Sequence, residues 1–153
     1  MERSAIARNV MLEINQRVQA WINGSVPNDA ATYDAFVALC TPDFSYVGPG
    51  GGKTDGPAFL EGMRGAHGSN PDFRLNLSDT PIEEIYDNGE ILIAEVIEMQ
   101  DGAKAVAKAR HARRITAIFL ADATATHGYR VLRLHETMIP EEEEAALDWT
   151  VFD

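Results

Sequence analysis

Apolar residues Ile6, Val10, Ile14, Val18 and the Trp21–Ile22 pair recur at three- and four-residue intervals. One face of a helix is therefore greasy, and Gly24 ends it. Asn28 and Asp29 supply N-cap chemistry for a second helix striped by Tyr33, Phe36, Val37 and Cys40, which Pro42 closes. Phe44–Val47 reads as a short strand running into the glycine-rich segment Gly48–Gly52. A third helix opens at Asp55-Gly56-Pro57, with proline suited to a first turn, and its stripe is Phe59, Leu60, Met63 and His67.

Beyond residue 72 the period changes to two. Phe73, Leu75 and Leu77 alternate with Arg74, Asn76 and Ser78, a strand with one wet face. Asp87-Asn88-Gly89 is a turn signal, and Ile91–Ile97 follows as a strand apolar on both faces, interrupted by Glu95. Arg110–Leu120 and Tyr129–Met138 are the last two strands. In the latter, alternation puts Leu132, Leu134, Glu136 and Met138 on one face and Val131, Arg133, His135 and Thr137 on the other. A carboxylate on the greasier face is costly to desolvate, so Glu136 calls for a partner, a proton or a pocket. Pro140 and the acidic run Glu141–Glu144 start a short final helix whose charges suit a helix N-terminus. Ala145, Leu147, Trp149 and Phe152 let that tail dock. Helices followed by consecutive strands predict an α+β fold in one domain over residues 1–153, with helices covering one face of a largely antiparallel sheet.

Composition narrows the function classes. A hydrophobic share of 45% in 153 residues is enough for one real core. The net charge of −11 opposes a nucleic-acid partner, and the short His111, Arg113, Arg114 cluster does not reverse that. The single cysteine, Cys40, allows no internal disulfide and reads as a buried small hydrophobe. Arg3 and Arg8 interrupt the apolar N-terminus, so no signal core is visible, and no stretch is long enough for a membrane span. A cytoplasmic protein is the expectation. No His, Cys, Asp and Glu cluster has ligand spacing for zinc or iron, so neither metal nor cofactor is expected.

The segment Gly48-Pro49-Gly50-Gly51-Gly52-Lys53-Thr54 imitates a phosphate-binding loop. That loop needs four residues between its first glycine and the Gly-Lys pair, where this chain has three, and its helix should begin at the lysine. Consecutive strands later in the chain also preclude the alternating parallel sheet that such a loop serves. Nucleotide hydrolysis is rejected. The glycines are expected to form a flexible lip over a cavity mouth, with Lys53 reaching an anionic substrate group.

The stretches Asp43-Phe44-Ser45-Tyr46-Val47, Thr54-Asp55-Gly56 before a helix, Arg113-Arg114-Ile115-Thr116 and Gly128–Thr137 together resemble the NTF2-like superfamily, and within it the SnoaL-like and DUF4440-like small domains. Tyr129 stands where that family more often has tryptophan. The resemblance implies a cone: a curved sheet, mixed or antiparallel, around a cavity closed by three helices. It further implies a homodimer paired through the outer sheet face, where His135 is expected. Its members include isomerases, cyclases, dehydratases and hydrolases beside binding modules, so the fold does not select a function.

In the register the resemblance implies, Glu95 and Glu136 face one cavity with Arg114 between them, in phase with Thr116. Two carboxyls sharing one arginine are driven apart in pKa, which supplies an acid and a base for proton transfer on a small carbon acid. The same three residues also make a plain structural ion pair. His67 is expected to point inward from the third helix as a base or carbonyl-orienting group, or as a core histidine with one hydrogen bond. Tyr46, Tyr33, Trp21, Thr116 and Leu134 complete the expected lining, though each aromatic is equally an ordinary core residue. Asp43 and Asp55 read as local caps. The expected function is a pocket for a small, partly apolar molecule, catalytic or purely binding, with a protein-interaction module as the alternative.

Overall fold

The computed structural model describes residues 3–153. Helix α1 spans Arg3–Asn23, α2 Ala30–Val37, and strand β1 Cys40–Val47. A short β2 (Lys53–Asp55) leads into α3 (Gly56–Arg64), then β3 (Arg74–Leu77) and β4 (Glu83–Asp87). Three long strands follow: β5 (Ile91–Asp101), β6 (His111–Ala121) and β7 (Tyr129–Met138). Helix α4 (Glu141–Ala145) and a 3₁₀ turn, Trp149–Phe152, close the chain.

The seven strands form one mixed sheet in the order β2-β1-β7-β6-β5-β3, with β4 also on the edge of β5. Strand β1 runs parallel to β7, and all other pairs are antiparallel. Strands β3 and β4 divide one edge of β5, with β3 on Glu98–Asp101 and β4 on Leu92–Glu95. Neither β2 nor β4 is foreseen from the sequence pattern. Glu83-Glu84-Ile85-Tyr86-Asp87 carries no alternation because four of its five residues are exposed; charges there guard an open edge.

Helix α1 buries Ala7, Val10, Met11 and Ile14 in the core; of the stripe its spacing predicts, Val10, Ile14 and Trp21 are buried, while Ile6, Val18 and Ile22 are half-buried. Gly24 ends it at φ 78°, letting the Ser25 amide reach back to Ala20 O at 3.0 Å. Asp29 caps α2 through Thr32 N (2.8 Å), and Asp55 caps α3 through Ala58 N (2.9 Å). Helix α2 stops at Val37, so Cys40 opens β1 instead of extending the helical stripe. The glycine-rich segment closes the β1–β2 hairpin, with Gly48 N bonded to Gly52 O at 3.1 Å, and Lys53 begins a strand.

Three helices roof the concave face of the sheet, where Phe44, Leu92, Ala94, Val96, Ile115 and Phe119 are buried. On the convex face the C-terminal segment packs Ile139, Phe152, Leu147 and Trp149 over Ile97, Met99 and Ala112. That docking accounts for the apolar outward residues Ile97 and Met99 of β5.

Candidate functional site

The cone encloses a cavity of about 560 Å³, walled mainly by hydrocarbon. Met11, Ile14 and Val18 come from α1, Phe36 from α2, and Phe59 and Met63 from α3. Phe44 and Tyr46 on β1 stack toward Phe59, with ring centroids 5.3 and 4.9 Å away. The exposed members of the lining, Ser69, Lys104 and Ala105, mark its mouth. There Asn70 donates to Gly102 O at 2.7 Å, and Gly102 turns at φ 70°. A Cβ on Gly102 would lie 2.3 Å from Asp72 O, so only glycine permits this approach.

Polar groups enter this apolar space from adjacent strands. Arg113 on β6 and Glu136 on β7, 7% and 6% exposed, form a salt bridge of 2.8 Å. Tyr46 donates to the same Glu136 Oε1 at 3.0 Å, and Arg113 Nη1 also reaches the Tyr46 hydroxyl at 3.2 Å. Burial, and then the neighbouring Glu136 charge, raise the Tyr46 phenol, so it remains a donor at any ordinary pH. Behind Arg113, buried His111 holds Lys108 O through Nδ1 (2.8 Å) and faces Arg113 Nε with Nε2 (2.9 Å). Arg113 Nε can only donate, so His111 Nε2 accepts and Nδ1 carries the proton. Burial, reinforced by the Arg113 charge, lowers the His111 pKa, in keeping with that neutral tautomer.

Glu98 on β5 stands directly across the ladder from Arg113 and is 6% exposed. Its hydrogen-bond partner is the Gln100 amide, 2.8 Å from Oε1, and no cation pairs with it among the described residues. Desolvation, and next the Glu136 charge, push its pKa up to about 8. Asn15, 4% exposed on α1, stands beside this carboxyl without hydrogen-bond geometry, and neither of its amide atoms has a partner. Cys40 also borders the cavity as an inert thiol, pushed by burial up to about 12.

The structure redistributes the residues singled out from sequence. Glu136, Tyr46 and Leu134 line the cavity. Glu95, Arg114 and Thr116 do not: Glu95 pairs across the ladder with Thr116 on the convex face, opposite in phase to Val96 and Glu98. There Arg114 binds Glu95 at 2.9 Å and also Glu143 of α4. The phase of β5 and β6 is opposite to the expected one, and the inward acid and arginine are Glu98 and Arg113. A second phase error lies in β7. Ile118 faces Arg133 while Phe119 faces Val131, so Leu132 is the extra residue of a bulge. Tyr129 and Val131 thereby join Leu134 and Glu136 on the buried side, while Met138, in phase with Glu136, is 39% exposed at the end of the strand.

His67 lies beyond the end of α3 and meets Val26 O at 2.7 Å, outside the cavity lining. Trp21 donates to Met63 O at 2.6 Å and Tyr33 to Leu60 O at 2.6 Å; both fasten α3 to its neighbours instead of lining the pocket. Lys53 and the Gly48–Gly52 hairpin likewise stand away from the cavity, and Lys104 is the lysine at its mouth. Among the described residues no His, Cys, Asp and Glu group is arranged to hold a metal, and no helix is long and apolar enough to cross a membrane.

Compared by sequence, the chain matches no family model and no curated protein. Compared by structure, it is similar to an NTF2-like protein of unknown function from Pseudomonas aeruginosa, at 22% identity and a TM-score of 0.74, covering 88% of this chain and 99% of that one. The CaMKII hub of S. rosetta aligns at 17% identity and a TM-score of 0.66, over 91% and 98% of the two chains. A candidate scytalone dehydratase from Novosphingobium aromaticivorans aligns at 8% identity and a TM-score of 0.65, over 89% and 83%. The fold is therefore the NTF2-like cone, with the cystatin-like curved sheet that such proteins share.

Proposed function

We propose that this chain is a small-molecule-binding protein whose cone takes a compact, largely apolar ligand and fixes its polar group on the buried carboxyls of Glu98 and Glu136. The observation that carries this reading is the roughly 560 Å³ apolar cavity with a buried carboxyl, Glu98, that makes no salt bridge among the described residues. A cavity of that size is typical of ligand sites, which pair hydrocarbon walls with a few placed polar groups. The test is a melting-temperature screen of small apolar compounds on wild type and on Val18→Phe, which fills the cavity from α1. Hits should stabilise the wild type and lose their effect on the variant. A screen without hits, or hits indifferent to Val18→Phe, would refute the reading.

The unlike surroundings of the two carboxyls favour a catalytic extension. Glu98 keeps a proton at neutral pH, whereas Glu136 is tied to Arg113 and Tyr46. A donor and an acceptor on one wall suit isomerase-, cyclase- or dehydratase-type proton transfer. The candidate dehydratase among the structural neighbours is consistent with this, at the level of fold alone. Two copies are proposed to pair through the convex face left open by the C-terminal segment, where Ile91, Ile93, Ile118 and Leu120 are half-buried. Sedimentation of the purified protein as a monomer would remove that part.

A further inference from the structure

We infer that the ligand carries a protonated amine and that Glu98 is its counter-ion, an inference that rests on the binding reading above. The charge count inside the cone points there. Its buried wall holds two acids, Glu98 and Glu136, and one base, Arg113. Arg113 is committed: it binds Glu136 at 2.8 Å, Tyr46 at 3.2 Å and His111 at 2.9 Å. Lys104 is exposed at the mouth. Among the described residues one buried acid is therefore left without an ion-pair partner of its own, and an unpaired carboxylate in hydrocarbon is costly enough that it holds a proton or acquires a partner.

The groups facing Glu98 agree with a cationic guest. Gln100 on β5 satisfies Oε1 alone; Glu136 on β7 adds negative potential, and Arg113 across the ladder on β6 offsets part of it while its own hydrogen bonds go to Glu136, Tyr46 and His111. Asn15 on α1 contributes an unpartnered buried amide, whose oxygen can accept from an ammonium. The lining also includes the rings of Phe36, Phe44, Phe59 and Phe73, and an aromatic face attracts a cation. An anionic ligand would meet two acids with Arg113, the only buried cation among the described residues, already bound. A neutral alcohol or ketone would use the Glu98 proton and leave the charge count as it is. The net charge of −11 draws cations toward the chain at long range.

Proton accounting separates these cases. At neutral pH both the free amine and Glu98 carry a proton, and the pair that forms keeps one of the two. Well below pH 8 binding therefore releases about one proton and amine affinity rises nearly tenfold per pH unit, levelling off above about pH 8, where free Glu98 is already ionised. A neutral acceptor behaves oppositely, flat below that pH and weaker above it.

Calorimetric titration with 4-phenylbutylamine, 4-phenyl-1-butanol and 4-phenylbutyrate tests this on one carbon skeleton. The amine should bind at least tenfold tighter than either other compound at pH 7.5, tighter still at pH 8 than at pH 6.5, and release about one proton when buffers are compared. Glu98→Gln should abolish the amine's advantage over the alcohol. Equal or tighter binding of the alcohol or the carboxylate overturns the inference while leaving the cavity reading standing, as does an amine preference that survives Glu98→Gln. Binding of none of the three overturns both. If Glu98→Gln does not fold, the ranking and pH trend on the wild type decide alone.

Discussion

Replacing Glu98 by glutamine should make the protein more stable, and increasingly so as pH rises. In the folded state desolvation and the Glu136 charge raise the Glu98 pKa from 4.5 to about 8. Between those values the native chain holds a proton that the unfolded chain has lost. Stability contributed by this group is thus complete below about pH 4.5 and drains away as pH climbs through about 8, at up to roughly 1.4 kcal/mol per pH unit. Glutamine keeps the shape and the bond to Gln100 but has nothing to titrate. The difference in unfolding free energy, variant minus wild type, should therefore grow from pH 5 to pH 8 and level off above. For a chain of this size each kcal/mol is worth about 2–4 °C in melting temperature, so the two melting curves should visibly part. Urea unfolding of both proteins at unit steps from pH 5 to 9 measures the difference directly, and other titrating groups cancel. A constant difference, or a wild type that gains on the variant with rising pH, would refute the buried, unpaired carboxyl.

Two further perturbations probe the same wall and its outer counterpart. Arg113→Met strands the buried Glu136 and leaves His111 Nε2 without its donor, so chemical denaturation should show a loss of about 3–5 kcal/mol, and adding Glu136→Gln should restore part of it; a loss below about 1 kcal/mol, or strict additivity, contradicts the pairing. Glu95→Gln, half-exposed on the convex face beside Arg114, should cost no more than about 1 kcal/mol and leave ligand affinity untouched. A ligand-binding defect in that variant would put Glu95 back in the cavity.

Much of the architecture was legible from local chemistry. The stripe of α1, the caps Asp29 and Asp55, the Gly24 stop and the long final strands follow from spacing, side-chain acceptors and backbone freedom that belong to the residues themselves. The rejected phosphate loop was legible too, since Lys53 begins a strand and not a helix. The inward acid of the last strand was assigned to its face by alternation alone, and Glu136 does line the cone.

What only the tertiary structure decided was phase. Strand β5 is covered by helices on one face, and on the other the C-terminal segment docks on Ile97 and Met99 beside the also apolar Ile91 and Ile93, so its residues are apolar in both phases and alternation cannot tell Glu95 from Glu98. Arg113 and Arg114 are adjacent, and which one turns inward is set by pairing to Glu98 and Ile97, a contact between strands that sequence neighbours do not encode. The bulge at Leu132 then resets β7 midway, and the end of α3 leaves His67 bonded to a carbonyl instead of facing a ligand. Residue types and periods are local properties, whereas the face a side chain takes depends on every strand laid beside it, and the cavity's uncompensated acid exists only once those faces are chosen.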